Sequence, residues 1–247
     1  MSDDAIPAAT VIVVREGGNG PELLIVERAG GMTFAGGALV FPGGRIDERD
    51  RRFARALSYA DGAARIAAVR ESVEETAIPV ALKPLPSPQQ AAHLQRELVG
   101  GADFGDLLNE SGLALDLDTL VPLARWVPKF HASRRFDTLF LLAPAPSGKW
   151  PLRPQPGECA GAFWMTAAQV LEKDRVGEAK LIFPTRRTLE RLAQHATFDA
   201  MAEDARAYAI EPITPWVEEH GDERFITIPE GIGYPVTREK LDGLWRG

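Results

Sequence analysis

Three glutamates close together in the chain are the side chains best placed to bind a metal ion: Glu71, Glu74 and Glu75. The surrounding segment, Ala63 to Thr76, is predicted to be helical, and a helix turns by about 100° per residue. The three carboxylates are therefore expected on one side of it, within about 100° of each other. Hard cations such as Mg2+ prefer oxygen ligands and keep some positions for water and substrate phosphates. The spacing thus predicts a site for a divalent metal.

The predicted helix also carries an apolar stripe, which is expected to face the core while the glutamates point away from it. Its residues recur at intervals of three and four: Ile66, Val69, Val73 and Ala77. An acidic face opposite such a stripe is also typical of an ordinary solvated helix, because Glu is a good helix former. Arg70 favours the metal hypothesis, since it lies one turn before Glu74 and can hold that carboxylate in a fixed rotamer.

A family resemblance emerges around this helix. The stretch Arg70 to Ile78, R-E-S-V-E-E-T-A-I, resembles the second half of the Nudix box, R-E-U-x-E-E-x-G-U. Upstream, the run F-P-G-G that ends at Gly43 and Gly44, followed by Asp47, resembles the glycine-rich loop that opens the same box. Both halves occur in the right order.

The sequence departs from this box in several places. Gly44 and Arg70 are 26 positions apart instead of fourteen, which implies an insertion of about twelve residues. Ala77 replaces the final glycine, and Ser72 stands where an aliphatic residue is usual. The glutamate of the first half has no certain counterpart. An insertion at this place resembles a long-insert branch of the family, which includes a peroxisomal coenzyme A diphosphatase.

The resemblance covers about Val11 to Leu192 and implies a fold and a reaction. The implied fold is of the α/β (α+β) class, an α/β/α sandwich around a mixed sheet. The implied cofactor is Mg2+ or Mn2+, bound by Glu71, Glu74 and Glu75. The implied reaction is hydrolysis of the pyrophosphate bond in a nucleoside diphosphate linked to another moiety, with Glu74, Glu75 and Arg70 as catalytic residues. The partner is thus a small molecule.

Coenzyme A or acyl-coenzyme A is the first substrate hypothesis. The predicted insert, residues 45–62, joins the glycine loop to the metal helix, and Arg49, Arg51 and Arg52 in it are candidates to reach the 3′-phosphate. The alternative substrate is ADP-ribose or a nucleotide sugar, which lacks that phosphate. A third hypothesis is a catalytically silent, ligand-sensing Nudix module, which loss of the carboxylates would favour. Their presence argues against it.

Several further residues are candidates for the same site. Arg28, Arg134 and Arg135 are candidates to bind substrate phosphates, because guanidinium groups pair bidentately with phosphate oxygens. Alternation along a strand places Arg134 and Arg135 on opposite faces, so at most one of them is expected to face the site. Glu158 precedes a predicted strand and is a candidate base or additional metal ligand. His131 is interpreted as a surface residue.

The chain is predicted to form one main domain, residues 1–198, with the insert and a helical elaboration at about 88–112. Within the insert a single helical turn is predicted near Phe53 to Tyr59. Thr166 and Thr185 are predicted N-caps of two late helices. Residues 199–247 contain several prolines and are predicted to be an extended tail packed on the domain.

Composition restricts the partners and the location. The net charge of −7 argues against a surface that follows nucleic-acid phosphates. Cys159 is the only cysteine, and the first residues lack the basic start and apolar run of a secretory signal, so a cytoplasmic location is expected. No apolar stretch approaches the roughly 20 residues that span a bilayer. The sequence leaves monomer and homodimer open.

Overall fold

The computed structural model describes residues 5–31, 35–57, 59–128 and 135–241. The first part of the chain contains, in order, β1 (Ile6–Gly17), β2 (Gly20–Arg28), β3 (Leu39–Val40), β4 (Gly43–Arg45), α1 (Glu48–Leu57), α2 (Gly62–Thr76), β5 (Leu82–Lys83), α3 (Pro88–Val99), α4 (Phe104–Glu110) and β6 (Ala114–Leu115). After a 3-10 turn at Leu117–Thr119, the second part contains β7 (Val121–Trp126), β8 (Phe136–Pro144), β9 (Cys159–Thr166), α5 (Ala167–Arg175), α6 (Phe183–Leu192), α7 (Phe198–Arg206), β10 (Pro212–Ile213), β11 (Trp216–His220), β12 (Glu223–Thr227) and β13 (Arg238–Lys240).

Strand β1 lies at the centre of an eight-stranded mixed sheet with the order β10-β7-β8-β1-β2-β3. It pairs in parallel with β8 and antiparallel with β2 and β4, and β9 pairs with β2. The turn between β1 and β2 uses Gly20, whose φ of 108° is open to glycine but rarely to other residues. Strands β1 and β2 thus form an antiparallel hairpin.

Helices cover both faces of this sheet. Val11 and Val13 of β1 point into a core formed with α2, α3 and α4. Ile12 and Val14 point into a second core formed with α5, α6 and α7. Because successive side chains of a strand alternate between its faces, one continuous apolar run serves both cores. The result is the predicted α/β/α sandwich around a mixed sheet.

Helix α2 is buried on nearly every side, which corrects one expectation from the sequence. Glu71 and Glu75 do not lie on a solvated face, since they are only 8% and 4% exposed. The helix ends at Ala77, which has the left-handed φ of 59° and donates its N–H to the Val73 carbonyl. Ser72 donates its hydroxyl to the Ile78 carbonyl beyond this turn, which accounts for a polar residue at a buried position.

Three other expectations about secondary structure were wrong. The insert holds the whole of α1 instead of one turn. Helix α6 begins at Phe183 and has no side-chain cap, so Thr185 is not its N-cap, whereas Thr166 caps α5 as predicted. The C-terminal part is not simply extended: it forms α7 and a three-stranded antiparallel sheet of β11, β12 and β13. Ile226 and Tyr234 from this part pack into the second core. No helix in the described ranges is long and apolar enough to span a membrane.

Candidate active site

One cavity of about 670 Å³ gathers most of the residues that the sequence singled out. Gly43 and Gly44 line it together with two contrasting sets of side chains. We call the first set the charged edge, which consists of Arg28, Arg70, Glu71, Glu74, Glu75 and Glu158. We call the second set the apolar wall, which consists of Val40, Phe41, Trp126, Phe136, Phe140 and Phe183.

Glu75 is the most deeply buried carboxylate of the charged edge. One of its oxygens accepts a hydrogen bond of 3.1 Å from the backbone N–H of Gly43, so the glycine loop contacts the helix directly. Burial raises the pKa of Glu75 well above its usual range, and the negative charge of Glu71 raises it further. Such a carboxylate gains strongly from a nearby positive charge.

Glu71 lies against the second glycine of the loop. A Cβ added to Gly44 would stand 2.2 Å from a carboxylate oxygen of Glu71, so any larger residue would have to displace this side chain. A Cβ at Gly43 would meet the backbone of Ala9 at 2.5 Å. Because of these short distances, a side chain at either glycine would displace neighbouring atoms. Separately, burial raises the pKa of Glu71 to about 7, although Arg70 acts in the opposite direction.

Arg70 connects the carboxylates of the charged edge. Its guanidinium donates to Glu71 at 2.8 Å and to Glu74 at 3.1 Å, the contact that the helical spacing indicates. It also donates to both oxygens of Asp50, at 3.1 and 3.0 Å. Burial alone would lower the pKa of Arg70, but these acids, Glu71 first, raise it overall. Arg70 thus fixes the positions of three carboxylates.

Asp50 is a site residue that the sequence reasoning missed. It is 2% exposed, and it exchanges hydrogen bonds with Asp47: each backbone N–H donates to the other side chain, at 3.0 and 2.8 Å. This reciprocal pattern is a capping box at the start of α1. The acids at 47 and 50, three residues apart before a helix, were the signal that could have revealed it. Asp50 thus connects the start of α1 to Arg70 of α2.

Comparison with solved structures identifies the family. The crystal structure of a NUDIX hydrolase from Alicyclobacillus acidocaldarius matches with a TM-score of 0.71 and 30% sequence identity, covering 82% of this chain and 97% of that one. The chain belongs to the Nudix hydrolase family. A MutT protein from Methanosarcina mazei Go1 matches at 13% identity and a TM-score of 0.46, over 78% of this chain and 96% of that one. No profile of a known protein family matches the chain, and no functionally curated protein does.

Two arginines of this Nudix hydrolase face the cavity without an acidic hydrogen-bond partner in the described part of the chain. Arg28 is half-buried, and its Nε is buried with no hydrogen-bond partner there, although its charge lowers the pKa of the nearby Glu75 carboxyl below what burial alone would give. Arg45 is exposed and also lines the cavity, a position that the sequence reasoning did not select. Both guanidinium groups remain available to an anionic ligand.

The remaining residues that the sequence singled out differ in their placement. Arg135 does not line the cavity, and its backbone carbonyl accepts a hydrogen bond of 2.7 Å from Ile6. Arg134 and His131 lie outside the described residues. Glu158 does line the cavity. It is exposed, and its charge adds to the effect of burial in raising the pKa of Glu74.

The three arginines of the insert do not line this cavity, which corrects the expectation that they reach a substrate phosphate there. Arg49 donates to the carbonyl of Gly101 at 2.7 Å, and Arg52 pairs with Asp103 at 2.7 Å. Arg51 lies near the Glu48 carboxylate, at 3.8 Å. The contacts of Arg49 and Arg52 fasten α1 to the connection between α3 and α4.

The charged edge of the Nudix hydrolase suits a divalent metal by its chemistry. Its donors are carboxylate oxygens, which hard cations prefer, and their raised pKa values show that the local environment disfavours uncompensated negative charge. Because Gly44 has no Cβ, the Glu71 carboxylate can lie directly against the glycine loop. In the residues described, no three acidic, His or Cys side chains converge as a preformed centre, since Arg70 takes up oxygens of Glu71 and Glu74.

Proposed function

We propose that this Nudix hydrolase cleaves the phosphoanhydride bond of a nucleoside diphosphate linked to another moiety, with Mg2+ or Mn2+ as cofactor. One observation carries the proposal: three carboxylates of α2 line the same cavity as Arg28, whose Nε has no hydrogen-bond partner among the described residues. A pyrophosphate group needs both kinds of partner, because cations bind its oxygens and carboxylates bind the metal that accompanies it.

The residues of the charged edge divide this task. Glu71, Glu74 and Glu75 hold the metal, which when bound neutralises phosphate charge and makes a water molecule more acidic. Arg28 binds phosphate oxygens, and Arg70 positions the carboxylates. Water attacks phosphorus and the bond to the bridging oxygen breaks, giving a nucleoside monophosphate and a phosphate ester of the second moiety.

Glu158 is the candidate general base for this attack. It is exposed beside two buried glutamates, so a proton taken from the attacking water can pass on to solvent. Service as an additional metal ligand is its alternative role. Replacement by Gln separates the two: loss of a base lowers kcat and changes its pH dependence, whereas loss of a ligand raises the metal concentration needed for half-maximal activity.

Within this substrate class we propose compounds without a 3′-phosphate, such as ADP-ribose or a nucleotide sugar. Of the insert arginines that favoured coenzyme A, Arg49 and Arg52 contact the connection between α3 and α4, and none of the three lines the cavity. Arg45 is the cation at the cavity that supports coenzyme A or acyl-coenzyme A as the second candidate.

The test is a hydrolysis screen with Mg2+ and with Mn2+, using ADP-ribose, a nucleotide sugar, coenzyme A and its 3′-dephospho form, with products separated by chromatography. We expect nucleoside monophosphate from the first two at a higher kcat/KM than any product from coenzyme A. A preference for coenzyme A over its 3′-dephospho form would reverse the order of the two candidates. Absence of cleavage in all four would refute the proposed function.

A further inference from the structure

We propose that Tyr234 and Glu239, in the C-terminal part of the chain, are positioning residues for the apolar wall and thereby set the affinity for the aromatic base of the substrate. Neither residue lines the cavity. Tyr234 contacts Trp126 of the wall, and Glu239 contacts helix α6, whose first residue is Phe183 of the wall. The proposal rests on the proposed function in one respect, namely that the ligand of the cavity is a nucleoside diphosphate derivative.

Tyr234 acts on the wall through Trp126. The indole Nε1 of Trp126 donates a hydrogen bond of 3.1 Å to the Tyr234 hydroxyl, and both residues are buried. The two rings also meet edge to face, with centroids 5.4 Å apart. Tyr234 itself is held by Arg191, whose guanidinium lies 5.2 Å from the centre of its ring. The Tyr234 hydroxyl thus fixes the orientation of the Trp126 indole, which is part of the apolar wall.

Trp126 in turn supports Phe183, the first residue of α6. Their rings pack edge to face at 6.1 Å between centroids. Residues 182–185, at the start of α6, all line the cavity, so a shift of this turn changes the shape of the wall. A rotation of the Trp126 ring would therefore shift Phe183 and change the surface that contacts the ligand.

Glu239 of β13 supports the same turn from behind. Its carboxylate accepts from Arg186 at 2.6 Å and from Arg187 at 3.0 Å, the first side chains of α6 beyond those that line the cavity. Arg187 is 3% exposed and lies over the ring of Phe183, 5.2 Å from its centre. Two routes therefore run from the C-terminal part to Phe183, one through an indole and one through a guanidinium.

The wall suits a flat apolar group. Its six members carry no charge, and four of them are phenylalanines. The same cavity is also lined by the carboxylates of the charged edge and by the guanidinium-bearing residues Arg28 and Arg45. Aromatic rings gain from edge-to-face and offset contacts only when their orientation is fixed. A nucleoside diphosphate has a matching division, with an aromatic base at one end and phosphates at the other.

The experiment compares Tyr234→Phe and Glu239→Gln with matched controls from the same part of the chain. Tyr208→Phe is the first control, because Tyr208 packs on Arg191 and has no contact with Trp126. Glu223→Gln is the second, because Glu223 pairs with Lys240 on the exposed side of the small sheet. Each protein is assayed for kcat and KM on the best substrate, for the Kd of ADP with Mg2+ by tryptophan fluorescence, and for its melting temperature.

We expect Tyr234→Phe to raise KM and the Kd of ADP by roughly three- to tenfold, the effect of one lost buried hydrogen bond, with kcat within about twofold of wild type. Glu239→Gln is expected to act in the same direction, and both controls to behave as wild type. A fall in kcat at constant KM, an unchanged Kd, or an equal effect in the controls would overturn the inference. If no substrate is hydrolysed, the proposed function fails, while the Kd comparison still decides the inference. Failure of ADP to bind the wild type overturns it as well.

Discussion

Four of the six residues on the charged edge come from α2, whereas the apolar wall takes its six residues from four separate segments of the chain. On the charged edge, hydrogen bonds within α2 and to the adjacent glycine loop fix the three carboxylates of this helix. The wall is instead supported by aromatic rings and ion pairs from residues distant in sequence, such as Tyr234 and Glu239. A short motif can thus encode the groups that we propose bind the metal, while the shape of the apolar wall depends on the whole fold.

Removal of the metal is expected to have the largest effect, and it tests the charged edge alone. Dialysis against EDTA should abolish hydrolysis, and added Mg2+ or Mn2+ should restore it, because without a metal the carboxylates repel the phosphate and no ion activates the attacking water. The apolar wall offers the metal no ligand, so the fold should persist, although the melting temperature should fall because the bound ion no longer compensates the buried carboxylates. Hydrolysis that survives the chelator would show that the carboxylates do not bind a required metal.

Substitution of single carboxylates is the next test. Glu74→Gln and Glu75→Gln are each expected to lower kcat by at least about a hundredfold, because each removes one metal ligand. Glutamine keeps the shape, and at residue 75 its oxygen can still accept from Gly43, so folding should persist. Turnover is measured under metal saturation and unfolding by circular dichroism. Near-normal turnover in both variants contradicts the assignment.

The glycine loop provides a smaller and more local perturbation. Gly44→Ala is expected to lower kcat/KM by roughly ten- to hundredfold, because the new methyl group displaces Glu71. Gly30→Ala is the control, since a Cβ there meets nothing within 4 Å. Gly43→Ala should act mainly on folding, because its Cβ would meet the Ala9 backbone. Equal melting temperatures for the Gly43 and Gly44 variants would show that this distinction is wrong.

The end of α2 offers the smallest effect. Ala77 occupies a left-handed conformation that costs an ordinary residue about 1 to 2 kcal/mol. Glycine would relieve this strain, but its greater conformational entropy in the unfolded state would offset part of the gain. Ala77→Gly is therefore expected to raise the free energy of unfolding by about 0.5 kcal/mol, with no change in kcat. Chemical denaturation measures the first and the hydrolysis assay the second. A loss of stability would mean that the turn is not strained by alanine.

The same contrast explains how far the sequence could be read. The spacing of Glu71, Glu74 and Glu75 and the two glycines of the loop brought together residues that do meet in the cavity, because helix geometry is local. The burial of Glu71 and Glu75 was missed, since an apolar stripe does not reveal whether a loop covers the opposite face. The direction of Arg49 is set by the carbonyl of Gly101, which no local pattern indicates.

The C-terminal part was misread for a different reason. Its prolines suggested an extended tail, but Pro215, Pro229 and Pro235 lie outside β11, β12 and β13, where they do not interrupt pairing. Gly221 was the local sequence signal of a hairpin between β11 and β12, and it adopts a φ of 63° in the turn. The role that we propose for the C-terminal part behind the cavity follows only from tertiary contacts such as that between Tyr234 and Trp126.

The parallel pairing of β1 with β8 also determines the order in which the molecule can assemble. Ile6 pairs with Phe136 and Val14 with Pro144, so partners 130 residues apart form the middle of the sheet. During synthesis the hairpin of β1 and β2 leaves the ribosome long before β8 exists, with apolar side chains on both of its faces. Pairings of such long range are slow to form and leave surfaces that favour aggregation. We therefore expect chaperone dependence during synthesis to last until β8 emerges, well after the glutamates of α2 have been made, and refolding of the chain to be limited by the pairing of β1 with β8.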